Sequence, residues 1–321
     1  MFVITGAAGF IGSCLVSKLN SLGAKDLLLV DDFSSKSKKQ NLRNKFFFKK
    51  IHRNDFVRWL KNNPNDISGI FHLGARTDTA ESNIQLLTDL NLDYSKNLWN
   101  LSVQNNIPFI YASSAATYGS GSFGFADDHK LIPQLQPLNP YAVSKNEFDK
   151  WVLLQKNFPP FWSGLKLYNV YGPNESHKSR MSSVVLKAFH QIKNKNQVHL
   201  FRSHDMRFKD GEQLRDFIYV KDVVDVLISM MQIKPRSAIY NLGTGNARTF
   251  IDLVIAVFNV LNLKPNIFYY DMPSDIRDNY QYYTQADVRK IKKVGLLKKI
   301  TNLEEGVNDY VSNYLITSQS Y

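Results

Sequence analysis

The sequence has few of the features of a secreted or membrane-embedded protein. Cys14 is the only cysteine among 321 residues, so no internal disulfide can form and nothing indicates an oxidising compartment. No segment approaches the roughly 18 uninterrupted apolar residues that a membrane span requires. No basic stretch leading into a long apolar run stands near Met1, so we expect no signal peptide. These absences predict a cytoplasmic protein without a membrane partner.

The sequence also lacks signatures for nucleic acids and metals. Its net charge of +12, from 40 basic and 28 acidic residues, would suit nucleic acid, a membrane surface or small anionic substrates. No helix-turn-helix, zinc-finger or RNA-recognition pattern accompanies this charge, and the seven histidines show no metal-ligand spacing. We therefore expect no nucleic-acid partner and no metal. A few of the cations would suit a dinucleotide and a sugar diphosphate, and the rest are interpreted as solvated surface.

The first two-thirds of the chain alternates short β-branched or aromatic runs with helical patterns. This alternation predicts an α/β fold with a Rossmann-like, doubly wound parallel sheet. Helices are expected over 10–22 and 83–104. The expected strands are Phe2–Thr5, Asp26–Val30, Phe46–Lys50, Gly69–Leu73, Pro108–Ala112 and Gly164–Tyr168.

After Tyr171 the pattern is less regular. A polar stretch over 202–213 predicts a loop, and strand-like and helical segments follow it. We therefore expect a smaller α/β substrate domain that is interleaved with the first. The expected division is a dinucleotide-binding domain over 1–170 with return segments at about 215–250, and a substrate-binding domain over 171–214 and 251–321.

A glycine-rich loop follows the first predicted strand. Gly6, Gly9 and Gly12 allow a tight turn, a close approach of backbone to a pyrophosphate, and close helix–strand packing. The next helix would direct its N-terminal amides at the phosphates. Asp31 and Asp32 end the second strand, where a carboxylate accepts the hydroxyls of an adenosine ribose. The loop therefore predicts a nicotinamide dinucleotide site.

The residues alone leave the choice of dinucleotide open. Asp31 alone favours NAD, because its carboxylate repels a 2′-phosphate. Lys38 and Arg53 are cations that could offset this repulsion in NADP.

A tyrosine and a lysine are spaced to share one face of a helix. Asn139 suits the N-cap and Pro140 the first helical position, so Tyr141 and Lys145 lie at i and i+4. An ammonium group beside a phenol lowers the phenol pKa by stabilising phenolate. Such a tyrosine can exchange a proton with a sugar hydroxyl.

A serine pair ends the preceding predicted strand. Ser113 and Ser114 stand at the carboxyl edge of the sheet, where open α/β sheets bind ligands. From there Ser114 can hydrogen-bond the reacting oxygen. The glycine loop, the serine-bearing strand end and the Tyr–Lys pair together predict an oxidoreductase core.

Eight segments carry a family resemblance, which extends from about residue 1 to residue 310. They are GAAGFIGS, FHLGARTDT, YASSAATYG, NPYAVSK, NVYGPNESHKSRMSS, RDFIYVKDV, YNLGTG and YYTQAD. With them the chain resembles the ADP-glyceromanno-heptose 6-epimerases of the extended short-chain dehydrogenase/reductase superfamily. The glycine loop and YxxxK belong to the whole superfamily, whereas NVYGPxxxHK and YxxxTQAD are more specific to these epimerases.

The resemblance implies a tightly bound NADP that is not consumed, which favours NADP over NAD. Arg53 stands where the family can have lysine, and the charge is retained. The matching cofactor positions are Phe10, Ile11, Asp31, Asp32, Lys38, Arg53, Ala75, Arg76, Thr77, Asp78, Thr79, Asn91, Lys145, Val170 and Lys178.

The resemblance also implies epimerisation at C6″ of an ADP-heptose for the lipopolysaccharide inner core, through a transient 6-ketone. Two sugar faces require two proton-transfer groups, which match Tyr141 and Lys178, with Ser114 positioning the oxygen. Without the resemblance, Lys178 would be interpreted as a solvated loop lysine. The family forms homo-oligomers, with pentamers expected.

The resemblance assigns nine positions to the substrate. Arg215 suits the diphosphate because guanidinium binds phosphate oxygens bidentately; the alternative is a surface ion pair with Asp216 or Asp222. The chain departs from other members at two of the nine, Arg180 and Lys187, and in a longer 205–214 loop. The nine are Asn169, Arg180, Lys187, Phe201, Arg202, Ser203, His204, Arg215 and Tyr280.

Two competing functions remain open. One is another enzyme of the superfamily, a UDP-hexose 4-epimerase or a nucleotide-sugar 4,6-dehydratase. Dehydratases carry an Asp-Glu pair after the active-site serine or threonine, where this chain has Ala115 and Ala116. A 4-epimerase does not need a second base at Lys178. The other competitor is a cofactor-binding protein that has lost catalysis, against which the intact Ser114, Tyr141 and Lys145 argue.

Overall fold

A central parallel sheet forms the larger part of the molecule. The computed structural model describes residues 1–64, 66–277 and 280–321. Among these residues, seven strands pair in the order β10-β6-β5-β4-β1-β2-β3, all parallel. Their bounds are β1 Phe2–Thr5, β2 Leu27–Asp31, β3 Lys49–His52, β4 Gly69–His72, β5 Phe109–Ser114, β6 Trp162–Leu167 and β10 Ala238–Leu242.

Two small sheets lie outside the central one. β9 (Leu214–Tyr219) pairs in parallel with β7 (Asn169–Tyr171) and antiparallel with β11 (Ala247–Thr249). β8 (Val198–Phe201) pairs in parallel with β12 (Ile267–Tyr270). These sheets contain or adjoin most of the residues predicted to bind substrate.

The helices alternate with the strands, as a doubly wound sheet requires. α1 packs against α7, α2 against α4, and α6 and α11 against α8. Their bounds are α1 Phe10–Ser21, α2 Arg53–Asn62, α3 Ile84–Leu87, α4 Tyr94–Gln104, α5 Pro140–Leu153, α6 Val184–Lys195, α7 Val220–Ile233, α8 Phe250–Val260, α9 Ser274–Arg277, α10 Arg289–Lys293 and α11 Leu303–Tyr310.

The fold class is the predicted one, and β1, β4, β5 and β6 lie within two residues of the predicted bounds. β3 begins three residues later than predicted, because the aromatic run that suggested the strand leaves Phe46 and Phe48 exposed. The helix predicted over 83–104 contains a π-helical segment, Thr88–Asp93, between α3 and α4. None of the described helices is long and apolar enough to cross a membrane.

Residues at about 215–250 form strands that belong to two different sheets. β10 adds to the edge of the central sheet beside β6, whereas β9 and β11 join the small sheet with β7. The segment predicted to return to the dinucleotide-binding domain therefore contributes strands to both sheets. The predicted domain boundaries remain a proposal.

Candidate active site

The glycine loop connects β1 to α1 by a tight turn. Gly6 has φ of +68°, and a Cβ built there would stand 2.7 Å from the Cα of Gly74. A Cβ on Gly12 would stand 2.2 Å from the carbonyl oxygen of Gly6. Both positions exclude any side chain, as the sequence predicted. Gly9 supplies the N-cap of α1 without a side-chain hydrogen bond.

A cavity of about 570 Å³ opens above this loop. One wall is the loop itself and the end of β2, and the other is formed by the segments at 73–78 and 177–181. Predicted cofactor residues that line it are Gly6, Gly9, Phe10, Ile11, Gly12, Asp31, Lys38, Arg53, Ala75, Arg76, Thr77, Asp78 and Lys178.

The other predicted cofactor residues lie beside the cavity lining or deeper in the fold. Asn91 is buried below the cavity and holds Arg76, because its side chain accepts from the Arg76 amide (2.8 Å) and donates to its carbonyl (3.0 Å). Thr79 contacts the sulfur of Met181 at 3.6 Å. Val170 lies in β7.

Each carboxylate at the end of β2 is paired with a cation. Lys38 Nζ lies 3.2 Å from Asp31, and Arg53 lies 3.4 Å from Asp32. Asp31 also accepts from the amide of Ala8 at 2.9 Å, which joins β2 to the glycine loop. Hydrogen bonds from Ser34, together with Arg53, lower the pKa of Asp32 to about 2. The negative charge at this end of the cavity is therefore offset.

Two polar atoms at the same end of the cavity are buried. The Nε of Arg53 and the hydroxyl of Tyr94 are buried without a hydrogen bond to any described residue. Both side chains line the cavity. Buried polar groups are normally paired, so these atoms fit a ligand with hydrogen-bonding groups, such as an adenosine. The residues present therefore fit a nicotinamide dinucleotide.

Tyr94 was not predicted from the sequence. It follows Asn91 by three residues, so the two share a helix face, and this spacing is the signal that could have identified it.

An ion pair joins the two segments that form the second wall of the cavity. The guanidinium of Arg180 donates to both carboxylate oxygens of Asp78 at 2.9 Å, and lowers the pKa of Asp78. Lys187 donates to the carbonyl of Arg180 at 2.7 Å. Arg180 and Lys187, assigned to substrate by the resemblance, thus lie beside the cofactor cavity.

The predicted catalytic serine, tyrosine and lysine converge at the carboxyl edge of the sheet. Ser114 ends β5, and Tyr141 and Lys145 lie in the first turns of α5. The Asn139 side chain caps this helix by accepting from the amide of Ala142 at 2.9 Å. Lys145 Nζ donates to the carbonyl of Ala112 at 2.9 Å.

The expected lowering of the Tyr141 pKa is wrong. Burial raises the pKa of Tyr141, and a hydrogen bond with Ser114 opposes the rise only in part. Burial also lowers the pKa of Lys145 to about 8, so this ammonium is a weaker source of positive charge than the sequence suggested. The lysine directs its Nζ to a backbone carbonyl.

Lys178 is held on a loop that a buried carboxylate organises. Its Nζ lies 5.4 Å from the centre of the Phe10 ring, beside the glycine loop. Burial lowers the pKa of Lys178, and the negative charge of Glu175 opposes this. Glu175 is buried and accepts from the amide and hydroxyl of Ser183, both at 2.6 Å, which joins the loop to α6. Lys178 is therefore not the solvated loop lysine of the alternative interpretation.

Glu175 and His177 complete this loop. Glu175 was not predicted to have a role, because its partner Ser183 lies on the next helix. The ring Nδ1 of His177 lies 3.1 Å from the side-chain nitrogen of Asn41. Burial, together with nearby lysines, lowers the pKa of His177 to about 4, so this ring is neutral at pH 7.

Arg215 occupies an aromatic setting next to the small sheets. Its guanidinium carbon lies 5.0 Å from the ring centre of Tyr280 and 5.6 Å from that of Phe250. It donates to the carbonyls of Leu214 (2.9 Å) and Gln281. The alternative surface ion pair is wrong, since Arg215 is buried and the two aspartates proposed for it bind other groups.

The remaining predicted substrate residues lie near the ends of strands. Phe201 ends β8, with its ring centre 6.3 Å from that of Tyr280. Ser203 donates its amide to Asp210 at 2.8 Å, and His204 Nε2 lies 3.8 Å from Asp271. Arg202 and Asn169 are exposed. In the part of the chain that the structure describes, no group of three metal-ligating side chains is present.

Comparison with known proteins identifies the class and then the family. Residues 2–243 match the NAD dependent epimerase/dehydratase family. Over the full length of both chains, this chain is 45% identical to an ADP-L-glycero-D-manno-heptose-6-epimerase of Fusobacterium nucleatum subsp. nucleatum.

Two solved structures share the fold. The Helicobacter pylori ADP-L-glycero-D-manno-heptose-6-epimerase has a TM-score of 0.80 at 28% identity, covering 97% of this chain and 95% of that one. The UDP-glucose 4-epimerase of Thermotoga maritima also has a TM-score of 0.80, at 25% identity, covering 99% of each chain. The fold alone therefore does not distinguish these two activities.

The Rossmann-like sheet, the glycine loop and the Ser114–Tyr141–Lys145 set define a nucleotide-sugar epimerase or dehydratase of the extended short-chain dehydrogenase/reductase class. The full-length identity is more specific than the fold. The chain belongs to the NAD dependent epimerase/dehydratase family and, within it, to the ADP-L-glycero-D-manno-heptose-6-epimerases.

Proposed function

We propose that this protein converts ADP-D-glycero-D-manno-heptose to ADP-L-glycero-D-manno-heptose by transient oxidation at C6″, for lipopolysaccharide inner-core synthesis. The observation that carries the proposal is the placement of two proton-transfer groups on separate elements. Tyr141 lies on α5, and Lys178 lies on the loop beside the glycine-rich turn. In the two-base mechanism that the family resemblance implies, each of the two orientations of the sugar uses its own proton-transfer group.

A nicotinamide dinucleotide, when bound, supplies the hydride acceptor and donor for the C6″ carbon. We propose NADP, with NAD as the alternative. The pairing of Lys38 with Asp31 and of Arg53 with Asp32 supports NADP, because each carboxylate that would repel a 2′-phosphate has a cation within 3.4 Å.

Tyr141 and Ser114 act on the reacting hydroxyl. The Tyr141 phenol exchanges a proton with the C6″ oxygen on one face, and the Ser114 hydroxyl holds that oxygen in place. The raised pKa of Tyr141 keeps the phenol protonated at neutral pH, which suits donation to a ketone oxygen. Deprotonation of Tyr141 for the oxidation step is favoured by positive charge brought near it when the site is loaded.

Lys178 acts on the opposite face. Its pKa is lowered by burial, which makes the neutral amine more accessible than in an exposed lysine. It exchanges a proton with the same C6″ oxygen after the intermediate has reoriented.

The substrate diphosphate is assigned to Arg215, with Tyr280 and Phe201 beside it. A buried guanidinium between two aromatic rings is pre-organised for phosphate oxygens. Asn169, Arg202, Ser203 and His204 are assigned to the substrate by the family resemblance, together with Arg180 and Lys187. The homo-oligomeric state, expected to be pentameric, and the cytoplasmic location remain predictions.

Turnover of two nucleotide sugars tests the proposed function. We expect the purified protein to convert ADP-D-glycero-D-manno-heptose without added reductant, and UDP-glucose not to be converted, as followed by NMR of the sugar protons. Tyr141→Phe and Lys178→Met should each reduce kcat by about 10²- to 10⁴-fold, because each removes one proton-transfer group. Conversion of UDP-glucose, or full activity of Lys178→Met, would contradict the proposal.

A further inference from the structure

A buried ion pair lies directly beneath the catalytic residues and has no part in the chemistry described above. Lys166 of β6 and Asp149 of α5 are both fully buried, with Nζ 2.7 Å from the carboxylate. Burying two charges carries a large desolvation cost, which a close pair offsets only when further hydrogen bonds satisfy both groups. Such a pair is weak as a stabilising device, so its position requires another explanation.

Asp149 connects the catalytic helix to the catalytic strand. It lies one turn beyond Lys145 on α5. Its carboxylate accepts from the hydroxyl of Ser113 at 2.7 Å and from that of Tyr111 at 3.0 Å, and both donors belong to β5. The side chain thus holds the helix that carries Tyr141 against the strand that ends in Ser114.

Lys166 contacts the turn that follows the end of β5. Its Nζ donates to the hydroxyl of Thr117 at 2.6 Å and lies 5.1 Å from the centre of the Tyr118 ring. Thr117 in turn donates to the carbonyl of Ser114 at 2.7 Å. A continuous chain of contacts therefore runs from Asp149 through Lys166 and Thr117 to the backbone of Ser114.

We propose that Asp149 and Lys166 are positioning residues that hold Ser114 and Tyr141 in register and set the charge state of Lys145. The inference rests on the proposed function and deepens it. The pair acts through Ser113, Thr117 and the electrostatic field around Lys145, and touches neither substrate nor cofactor.

The charges around Lys145 determine the sign of the expected effects. The titratable groups around Lys145 and Asp149 are Tyr141 on α5, His72 on β4, Tyr111 on β5, Lys166 on β6, and Tyr118 and His129 on the segment that follows β5. Burial lowers the pKa of His72 to about 3, so this ring is neutral at pH 7. Asp149 raises the pKa of Lys145 against the effect of burial. Lys166 lies 2.7 Å from the Asp149 carboxylate, so its positive charge offsets part of the effect of Asp149 on Lys145.

Removing the negative charge of Asp149 and removing the positive charge of Lys166 should shift the titration of Lys145 in opposite directions. Asp149→Asn removes a negative charge, so the pKa of Lys145 falls and activity is lost at a lower pH on the alkaline side. Lys166→Met removes a positive charge, so the pKa of Lys145 rises and this loss of activity moves to higher pH. The double variant Asp149→Asn/Lys166→Met removes both charges. The pH at which it loses activity on the alkaline side should therefore lie between the values for the two single variants.

The test combines the pH profile of kcat with ¹⁵N NMR of the Lys145 side chain. The NMR titration, assigned with Lys145→Met, needs no turnover, so it separates failure of this inference from failure of the proposed function. Opposite shifts for the two single variants are expected in both readouts. Shifts of the same sign, or no shift in Lys145, would overturn the inference.

The double variant and Lys166→Arg keep the test decisive where a single variant does not fold. The double variant leaves no unpaired buried charge, so we expect wild-type resistance to urea but a kcat at least about tenfold lower with little change in KM. Lys166→Arg retains the charge and should retain the wild-type profile. A double variant with wild-type kcat would show that the pair only supports the fold and would overturn the inference.

Discussion

Three lysines with reduced exposure differ in role because their surroundings differ. Lys166 is fully buried in an ion pair with Asp149, whereas Lys145 faces a backbone carbonyl and its pKa is lowered to about 8. Lys178 is half-buried beside Phe10 with Glu175 behind it. Motif spacing predicted Lys145, and the family resemblance predicted Lys178. The role of Lys166 could not be predicted, since the sequence around a lysine in a strand does not indicate which side chain it will contact in the folded protein.

The ion pair between Arg180 and Asp78 leads to a prediction at the residue scale. Because the pair joins the 73–78 and 177–181 segments, which together form one wall of the cofactor cavity, Arg180→Ala should loosen that wall and let bound cofactor leave faster. A partly exposed pair contributes roughly 0.2–1 kcal/mol, which corresponds to an increase in the dissociation rate of about 1.4- to fivefold. Displacement of NADPH, followed by its fluorescence in a stopped-flow instrument, measures this rate.

A surface pair away from the cavity provides the matched control. Arg58 lies 3.2 Å from Asp55 on α2, and its side chain is 81% exposed. Arg58→Ala removes the same side chain without touching either wall. Equal dissociation rates for Arg180→Ala and Arg58→Ala would contradict a restraining role for Arg180.

At the scale of elements, sequence patterns correctly predicted the features that depend on interactions between residues close together in the chain. β1 and α1 have the predicted start and the predicted glycine turn, because hydrophobic periodicity and steric limits act over a few residues. The start of β3 was misplaced, since aromatic residues that favour strands remain exposed there. The π-helical segment over Thr88–Asp93 gives no periodic signal distinct from a helix, yet it carries Asn91 beneath the cavity.

The turn between β1 and α1 leads to a prediction at this scale. In Gly12→Ala the new methyl group would stand 2.2 Å from the Gly6 carbonyl oxygen, so the helix must move away from the strand. We expect a loss of about 1–3 kcal/mol in the free energy of unfolding, as for other overpacked sites. Urea denaturation measures the loss, and titration with NADP should show weaker binding.

Gly23 offers a control glycine outside the site. A Cβ there meets no atom within 4 Å, and asparagine tolerates its φ of +88°. Gly23→Asn should therefore retain cofactor affinity and lose less stability than Gly12→Ala, its only cost being the left-handed backbone. If Gly12→Ala behaved like Gly23→Asn, the close packing of the loop on α1 would not be required.

At the scale of the whole molecule, the prediction of an α/β fold with a parallel sheet is confirmed, because the order of strands and helices along the chain determines it. Contacts between distant segments were not predicted. Arg180 and Asp78 are 102 positions apart, and nothing in either local pattern indicates the other. Tyr94 differs, because its spacing from Asn91 is a local signal, although its hydroxyl without a partner among the described residues is visible only once the cavity has formed.

The fate of the hydrogen on C6″ tests the central claim most directly. The substrate ADP-D-glycero-D-manno-heptose, carrying deuterium at C6″, is incubated with the protein in ordinary water, and the product is analysed by NMR and mass spectrometry. Transient oxidation predicts that the L-glycero product retains the deuterium, because the hydrogen removed from C6″ is returned to it. Replacement of the deuterium by hydrogen from water would instead indicate removal of C6″ hydrogen as a proton, and would contradict the account.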